Sequence, residues 1–251
     1  MESKSKVWDR YANLTKSEIF RDKVRYETYL FLTKIINYFY HRRLSRYSKL
    51  KDLIVNLTKA NKMSADISDC LALYEDILNI KPKYILELGS GTSTAAICLA
   101  IDKIKEKENN YSPVFVSIES RPKWFNYHKE NIPKDLLCNV QLIFREEKIK
   151  ILHGEEVAFY ENIPIHPYEY IHVDGPDIHG LGVDLQSDLI SLEKHLNDKC
   201  LIVFDGRRNT SRFSRRNMSG FNFRRHSKTL NHMISKEKIN NGFFLDFLIR
   251  D

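Results

Sequence analysis

The stretch Tyr84-Ile-Leu-Glu-Leu-Gly-Ser-Gly-Thr-Ser93 constrains this chain more than any other. A short, nearly all-apolar run ends in a glycine turn, and residues at helical spacing follow at once, which is the pattern of a buried strand, a sharp turn and a helix. A strand without a polar face belongs inside a parallel sheet covered on both sides. The same texture returns in Val114-Phe-Val-Ser-Ile118, Val140-Gln-Leu-Ile-Phe144, Tyr170-Ile-His-Val173 and Leu201-Ile-Val-Phe204, each separated from the next by a helical segment. The spacing predicts an α/β fold with a doubly wound, mostly parallel sheet. Residues 242–249 have mixed alternation and no helix after them, which fits a last strand in antiparallel placement.

Ahead of this region there is no Gly or Pro before Pro82, and apolar residues recur at helical spacing, as in Leu50, Leu53, Ile54 and Leu57. Three or four helices are expected there. A break over 59–65 precedes a further helix over 66–78, with Ser64 or Asp66 as its N-cap. The organisation expected is a helical extension or lid over 1–62 and a main domain over 63–251, in keeping with a length of 251 residues and 42% hydrophobic composition. No run reaches the roughly 18–20 apolar residues of a membrane span, and the first residues carry no apolar signal segment, so a cytoplasmic location is expected. Cys70, Cys98, Cys138 and Cys200 have no paired spacing, which suggests reduced, packed thiols and neither a zinc site nor a disulfide framework. The net charge of +7 is concentrated in Arg207, Arg208, Arg212, Arg215, Arg216, Arg224, Arg225 and Lys228, which points to an anionic partner or substrate.

In an open α/β sheet the ligand sits at the carboxyl ends of the strands. Gly89 and Gly91 permit a sharp turn and a close approach to its backbone, while Ser90, Thr92 and Ser93 offer hydroxyls or a helix cap. A dinucleotide site wants a third small residue where this chain has Thr94, and Glu87 would repel a pyrophosphate but accept hydrogen bonds from an amino-acid ammonium group. Glu119, at the tip of the second strand, is placed to take both hydroxyls of a ribose, with the extra length before it absorbed by the polar loop 103–112. These runs, together with Ile171-His-Val-Asp-Gly-Pro176, resemble the class I S-adenosylmethionine-dependent methyltransferases, and within them the small-molecule and sugar O-methyltransferase-like branch. The resemblance covers about 63–205. It implies S-adenosylmethionine as cofactor, with Glu87, Gly89, Ser90, Gly91 and Ser93 at its methionine part and Glu119 at its ribose.

Methyl transfer asks a protein mainly to align the acceptor and, for a hydroxyl, to take its proton. Candidates are Asp174, after the fourth run, Asp205, after the fifth, and His179 in the intervening loop. Asp174 and Asp205 on one rim would suit a divalent metal such as Mg, as in similar metal-dependent O-methyltransferases, but Gly206 stands where an Asn ligand would follow. Arg207 and Arg208 are candidate substrate-binding residues for a carboxylate or phosphate. The function expected is methyl transfer to a hydroxyl of a small-molecule or sugar acceptor. A second reading is an RNA or other nucleic-acid methyltransferase using the Arg-rich segment 207–228 with Phe213, Phe221 and Phe223 as stacking platforms. A third is a non-enzymatic protein whose basic helices over 33–51 dock to an anionic membrane or a partner.

Overall fold

A computed structural model of the chain describes Tyr38 and residues 42–59, 67–205, 207–218 and 232–235. Two helices, α1 (Ser48–Lys59) and α2 (Ile67–Ile80), lead into β1 (Tyr84–Leu88), α3 (Thr92–Lys105), β2 (Val114–Glu119), α4 (Pro122–Asn131), the short α5 (Lys134–Leu137) and β3 (Gln141–Phe144). Then come β4 (Glu147–Leu152), β5 (Glu155–Tyr160), β6 (Tyr170–Val173), the one-turn α6 (Ile178–Leu181), β7 (Leu185–Gln186), α7 (Asp188–Leu192), β8 (Leu201–Asp205), α8 (Arg208–Asn217) and β9 (His232–Ser235). The main sheet has the order β3-β2-β1-β6-β8-β9. Its members run parallel except β9, which pairs antiparallel with β8. This is the doubly wound sheet expected from the apolar runs, each of which is a strand within one residue of its expected ends. The expected strand over 242–249 lies outside the described residues.

Alternation along each strand divides the core into two layers. Ile85, Phe115, Tyr170 and Val203 face the helical layer of α1, α2 and α3. Leu86, Leu88, Val116, Ile118, Ile171, Val173, Ile202 and Phe204 face the other side, against Tyr160, Tyr168, Leu189 and Leu192. Helix α1 belongs to the first layer because Leu50, Ile54 and Leu57 recur on one face and are all buried. Each such side chain stabilises the fold by about 1.5–3 kcal/mol. At its far end the Tyr127 hydroxyl of α4 donates to the Leu57 carbonyl at 2.8 Å, so α1 is tied to the elements around the sheet's carboxyl edge.

The link from β3 to β6 is a β-hairpin rather than a helix. β4 and β5 pair antiparallel around His153 and Gly154, whose φ values of +52° and +81° suit a two-residue type I′ turn. With β7 they form a second, three-stranded sheet in the order β4-β5-β7. The hairpin turn reaches α8, where the ring of His153 lies 6.4 Å from that of Phe213. Strand order reverses between β1 and β6, so the crevice beyond those two strands is where an open α/β sheet receives its ligand.

Candidate cofactor and substrate site

The turn after β1 is shaped first by its own protein neighbours. Gly89 has φ +92°, and a Cβ there would lie 2.5 Å from the Gly175 nitrogen and 2.8 Å from the Asp174 carbonyl carbon. The Leu88 carbonyl accepts from Asp174 N at 2.7 Å and from Gly175 N. The β6 loop packed against Gly89 is by itself enough to require glycine there. Gly91 differs. Its φ of −169° is extended backbone, and a Cβ would meet only Ser93, with Oγ at 3.2 Å. Among the described residues nothing else fills the space in front of Gly91, so a ligand can approach the first turn of α3, whose leading N–H groups have no intrahelical partner.

Parallel register places Ser117, Glu87 and His172 in one row across β2, β1 and β6. The Glu87 carboxylate, fully buried, accepts from Thr94 Oγ1 at 2.5 Å and from Ser117 Oγ at 2.6 Å. Thr94 Oγ1 in turn accepts from Gly91 N at 2.9 Å, which locks the turn to the start of α3. Thus Thr94, in place of a third glycine, ties the glycine turn to the buried acid. His172 Nδ1 lies 3.4 Å from Glu87 Oε1. Burial disfavours its imidazolium, but the Glu87 carboxylate outweighs this and raises the His172 pKa. In this arrangement Glu87 meets protein groups beneath the turn and presents no surface to the crevice.

Glu119, only 5% exposed, closes β2 beside the same turn. Its Oε2 accepts from Ser90 N at 3.2 Å and Ser90 Oγ at 2.8 Å, and its Oε1 accepts from Arg121 N at 2.8 Å. Burial raises its pKa in spite of these bonds. His128 Nδ1 lies 2.8 Å from Ser90 Oγ. The serine has one proton, spent on Glu119, so its oxygen accepts from an Nδ1–H imidazole. Burial lowers the His128 pKa and keeps that ring neutral. Ser93 sits in the first turn of α3, mostly buried.

Opposite this group, the register of Val173 with Phe204 sets Asp174 and Asp205 side by side at the ends of β6 and β8. Desolvation and the neighbouring Asp205 carboxylate raise the Asp174 pKa above the carboxylate range, although its side chain keeps 47% of its exposure and water screens part of the effect. Arg207, with 12% side-chain exposure, donates through Nη2 to the Asp174 carbonyl and lies 4.0 Å from its carboxylate. Its Nε and Nη1 are buried without a hydrogen-bond partner. His179 falls on α6 and Arg208 opens α8, but their side chains, like Gly206, lie outside the described set. The two acids form a pair, with no third carboxylate, His or Cys gathered beside them among the described residues. No group of three or more His, Cys, Asp or Glu able to hold a divalent cation occurs among the described residues, and a guanidinium already lies beside Asp174.

Arg121 joins the two halves of the rim, pairing with Asp177 at 2.5 Å and Glu147 at 3.6 Å. Phe213 is 1% exposed, which removes it as a stacking platform for a nucleic acid. Phe221 and Phe223 lie outside the described residues. Of the basic residues considered for membrane docking, Arg43 pairs with Glu75 and Lys49 with Glu106. No helix among the described residues is long and apolar enough to cross a membrane.

No family model matches this chain, and no curated protein does. Solved structures similar to part of it include a Bacillus cereus O-methyltransferase with S-adenosylhomocysteine, at 15% identity over 63% of this chain and 66% of that one, TM-score 0.41. Another is the O-methyltransferase TomG of Streptomyces achromogenes with S-adenosylmethionine, at 13% identity over 62% of this chain and 64% of that one, TM-score 0.39. A third is the methyltransferase PaMTH1 of Podospora anserina with S-adenosylhomocysteine, at 19% identity over 64% of this chain and 61% of that one, TM-score 0.36. The chain spans just under two thirds of each.

Proposed function

We propose that the chain is an S-adenosylmethionine-dependent methyltransferase acting on a hydroxyl of a small-molecule or sugar acceptor. The observation that carries this is the buried Glu119 carboxylate at the tip of β2, held against Ser90 beside the open Gly91 and the reversal of strand order. An acceptor-only group in a crevice suits a pair of vicinal hydroxyls, and Ser90, Gly91 and Ser93 at the start of α3 suit the amino-acid end. The buried Glu87 below the turn and the antiparallel edge strand β9 both depart from a pyrophosphate-binding dinucleotide fold. When bound, S-adenosylmethionine supplies an electrophilic methyl group on a sulfonium centre.

Glu119 orients by accepting hydrogen bonds, and Glu87 acts through Thr94, whose hydroxyl fixes the Gly91 backbone. Asp174, raised toward neutrality, takes the proton of the acceptor hydroxyl, Asp205 holds that raised value in place, and Arg207 fixes the Asp174 backbone. His179 is a second candidate base, and Arg207 and Arg208 are the candidate partners for an anionic part of the acceptor. No step is assigned to a metal.

Isothermal titration of the full chain with S-adenosylmethionine and S-adenosylhomocysteine tests the reading. Both are expected to bind, and Glu119→Ala is expected to weaken binding by about tenfold to hundredfold through loss of charge-assisted hydrogen bonds. A folded wild-type chain that binds neither compound is not a methyltransferase.

A further inference from the structure

Helix α8 and the small sheet enclose a cleft of about 710 Å³, walled on one side by Asn209, Arg212, Arg215 and Arg216 and on the other by Glu155 and Asp184. Asn209, Arg212 and Arg216 follow one another at single-turn spacing along α8, with Arg215 adjoining. The helix buries Thr210, Ser211, Phe213 and Ser214 on its opposite side, so the guanidinium groups project outward. None of these three arginines is paired with a carboxylate among the described residues, even though Glu155 and Asp184 line the same cleft. Like charges at this spacing destabilise a helix by about 0.2–0.5 kcal/mol, and an anion between them relieves that cost. Guanidinium forks match a phosphate group, and the cleft has the capacity of a small-molecule site, about 300–1,000 Å³.

The facing carboxylates narrow the choice. They would repel a continuous phosphodiester chain, but they accept hydrogen bonds from hydroxyl groups. We propose that the cleft between α8 and the small sheet binds the phosphate end of a phosphorylated, hydroxyl-bearing small molecule, with Arg212, Arg215 and Arg216 on the phosphate and Glu155 and Asp184 on hydroxyls. Both walls lead back to the rim, because α8 starts directly after β8 and Asp184 follows the loop that begins at Asp174. At 1.5 Å per residue Arg212 lies roughly 6 Å along α8 from its first residue, Arg208, which follows β8 and its terminal Asp205. A phosphorylated sugar held at the near end of the cleft can thus offer a hydroxyl toward Asp174. This last assignment, of the ligand as methyl acceptor, rests on the methyltransferase reading, whereas the cleft as a phosphate site does not.

The test is isothermal titration of the full chain at low ionic strength with inorganic pyrophosphate, glucose 6-phosphate and glucose. Both anions are expected to bind with one-to-one stoichiometry and glucose is not. The double variant Arg212→Gln, Arg216→Gln should bind the anions about a hundredfold more weakly, on the order of tenfold per guanidinium, with S-adenosylhomocysteine binding unchanged. Arg215→Gln alone, at an exposed position, gives the same answer at about tenfold if the double variant does not fold. Absence of binding by either anion, or undiminished binding in both variants, overturns the proposal. So does an oligouridylate that displaces glucose 6-phosphate with a steep salt dependence, which would mark a nucleic-acid surface. Anion binding that persists in a chain unable to bind S-adenosylhomocysteine would keep the cleft and discard the methyltransferase reading.

Discussion

Gly89 and Gly91 stand two positions apart in one turn, yet different forces demand them. A Cβ at Gly89 would strike the Gly175 backbone at 2.5 Å while forcing a side chain into φ +92°. Gly89→Ala is expected to cost about 2–4 kcal/mol and lower the melting temperature by several degrees. Gly91→Ala should leave the melting temperature unchanged and weaken S-adenosylhomocysteine binding, since among the described residues only Ser93 lies near its Cβ. Equal melting temperatures for the two variants would refute the distinction. Asp188 shows another residue-scale effect. It is fully buried, accepts from Tyr160 N at 2.8 Å and from Gln186 Nε2 at 2.9 Å, and burial pushes its pKa up to about 6. A carboxyl whose folded pKa is raised adds stability below its unfolded value near 3.9 and loses it as pH rises through about 6. Asp188→Asn, with the Gln186 amide flipped to accept, should thus gain stability relative to wild type between pH 4 and 6.5, by up to about 3 kcal/mol. Thermal unfolding of both proteins across that range measures it, and a pH-independent difference would refute it.

At the scale of elements, the β4–β5 hairpin does what a helix does in the other crossovers. It covers one end of the sheet and supplies the wall that faces α8. Phe213 is the anchor between them, 1% exposed and beside His153 at the hairpin turn. Phe213→Ala is expected to cost about 3–5 kcal/mol in urea unfolding. A cost under about 1 kcal/mol would mean that α8 is held by other contacts. This hairpin was poorly legible in the sequence. Glu147-Lys-Ile-Lys-Ile-Leu152 alternates, but Ile149 and Ile151 are 46% and 75% exposed, so the alternation does not mark a core face. The central parallel strands were legible because β1, β2, β6 and β8 are buried on both faces and so are written as near-continuous apolar runs, whereas the edge strand β3 is only half-buried.

For the whole molecule, the question is whether residues 1–62 form a separable lid. Leu50, Ile54 and Leu57 lie in the same core as Ile97, Ile101 and Phe115. A chain lacking residues 1–59 loses about 5–9 kcal/mol of burial, comparable to the stability of an entire domain. It is expected to be unfolded or aggregated by circular dichroism and sedimentation, and a soluble, cooperative truncated chain that binds S-adenosylhomocysteine would instead establish a detachable extension. What the sequence determined by itself is the local and periodic part: the strand, turn and helix around Gly89, the parallel sheet, and the acids Glu119, Asp174 and Asp205 at strand ends. Those features depend on neighbours a few residues apart. Tertiary structure alone decided that Glu87 answers to Ser117 and His172, that Gly89 makes room for Gly175, that His128 holds Ser90, and that Arg207 grips Asp174. Each of these pairs residues from separate elements, and only the register and packing of those elements bring such groups within reach of each other.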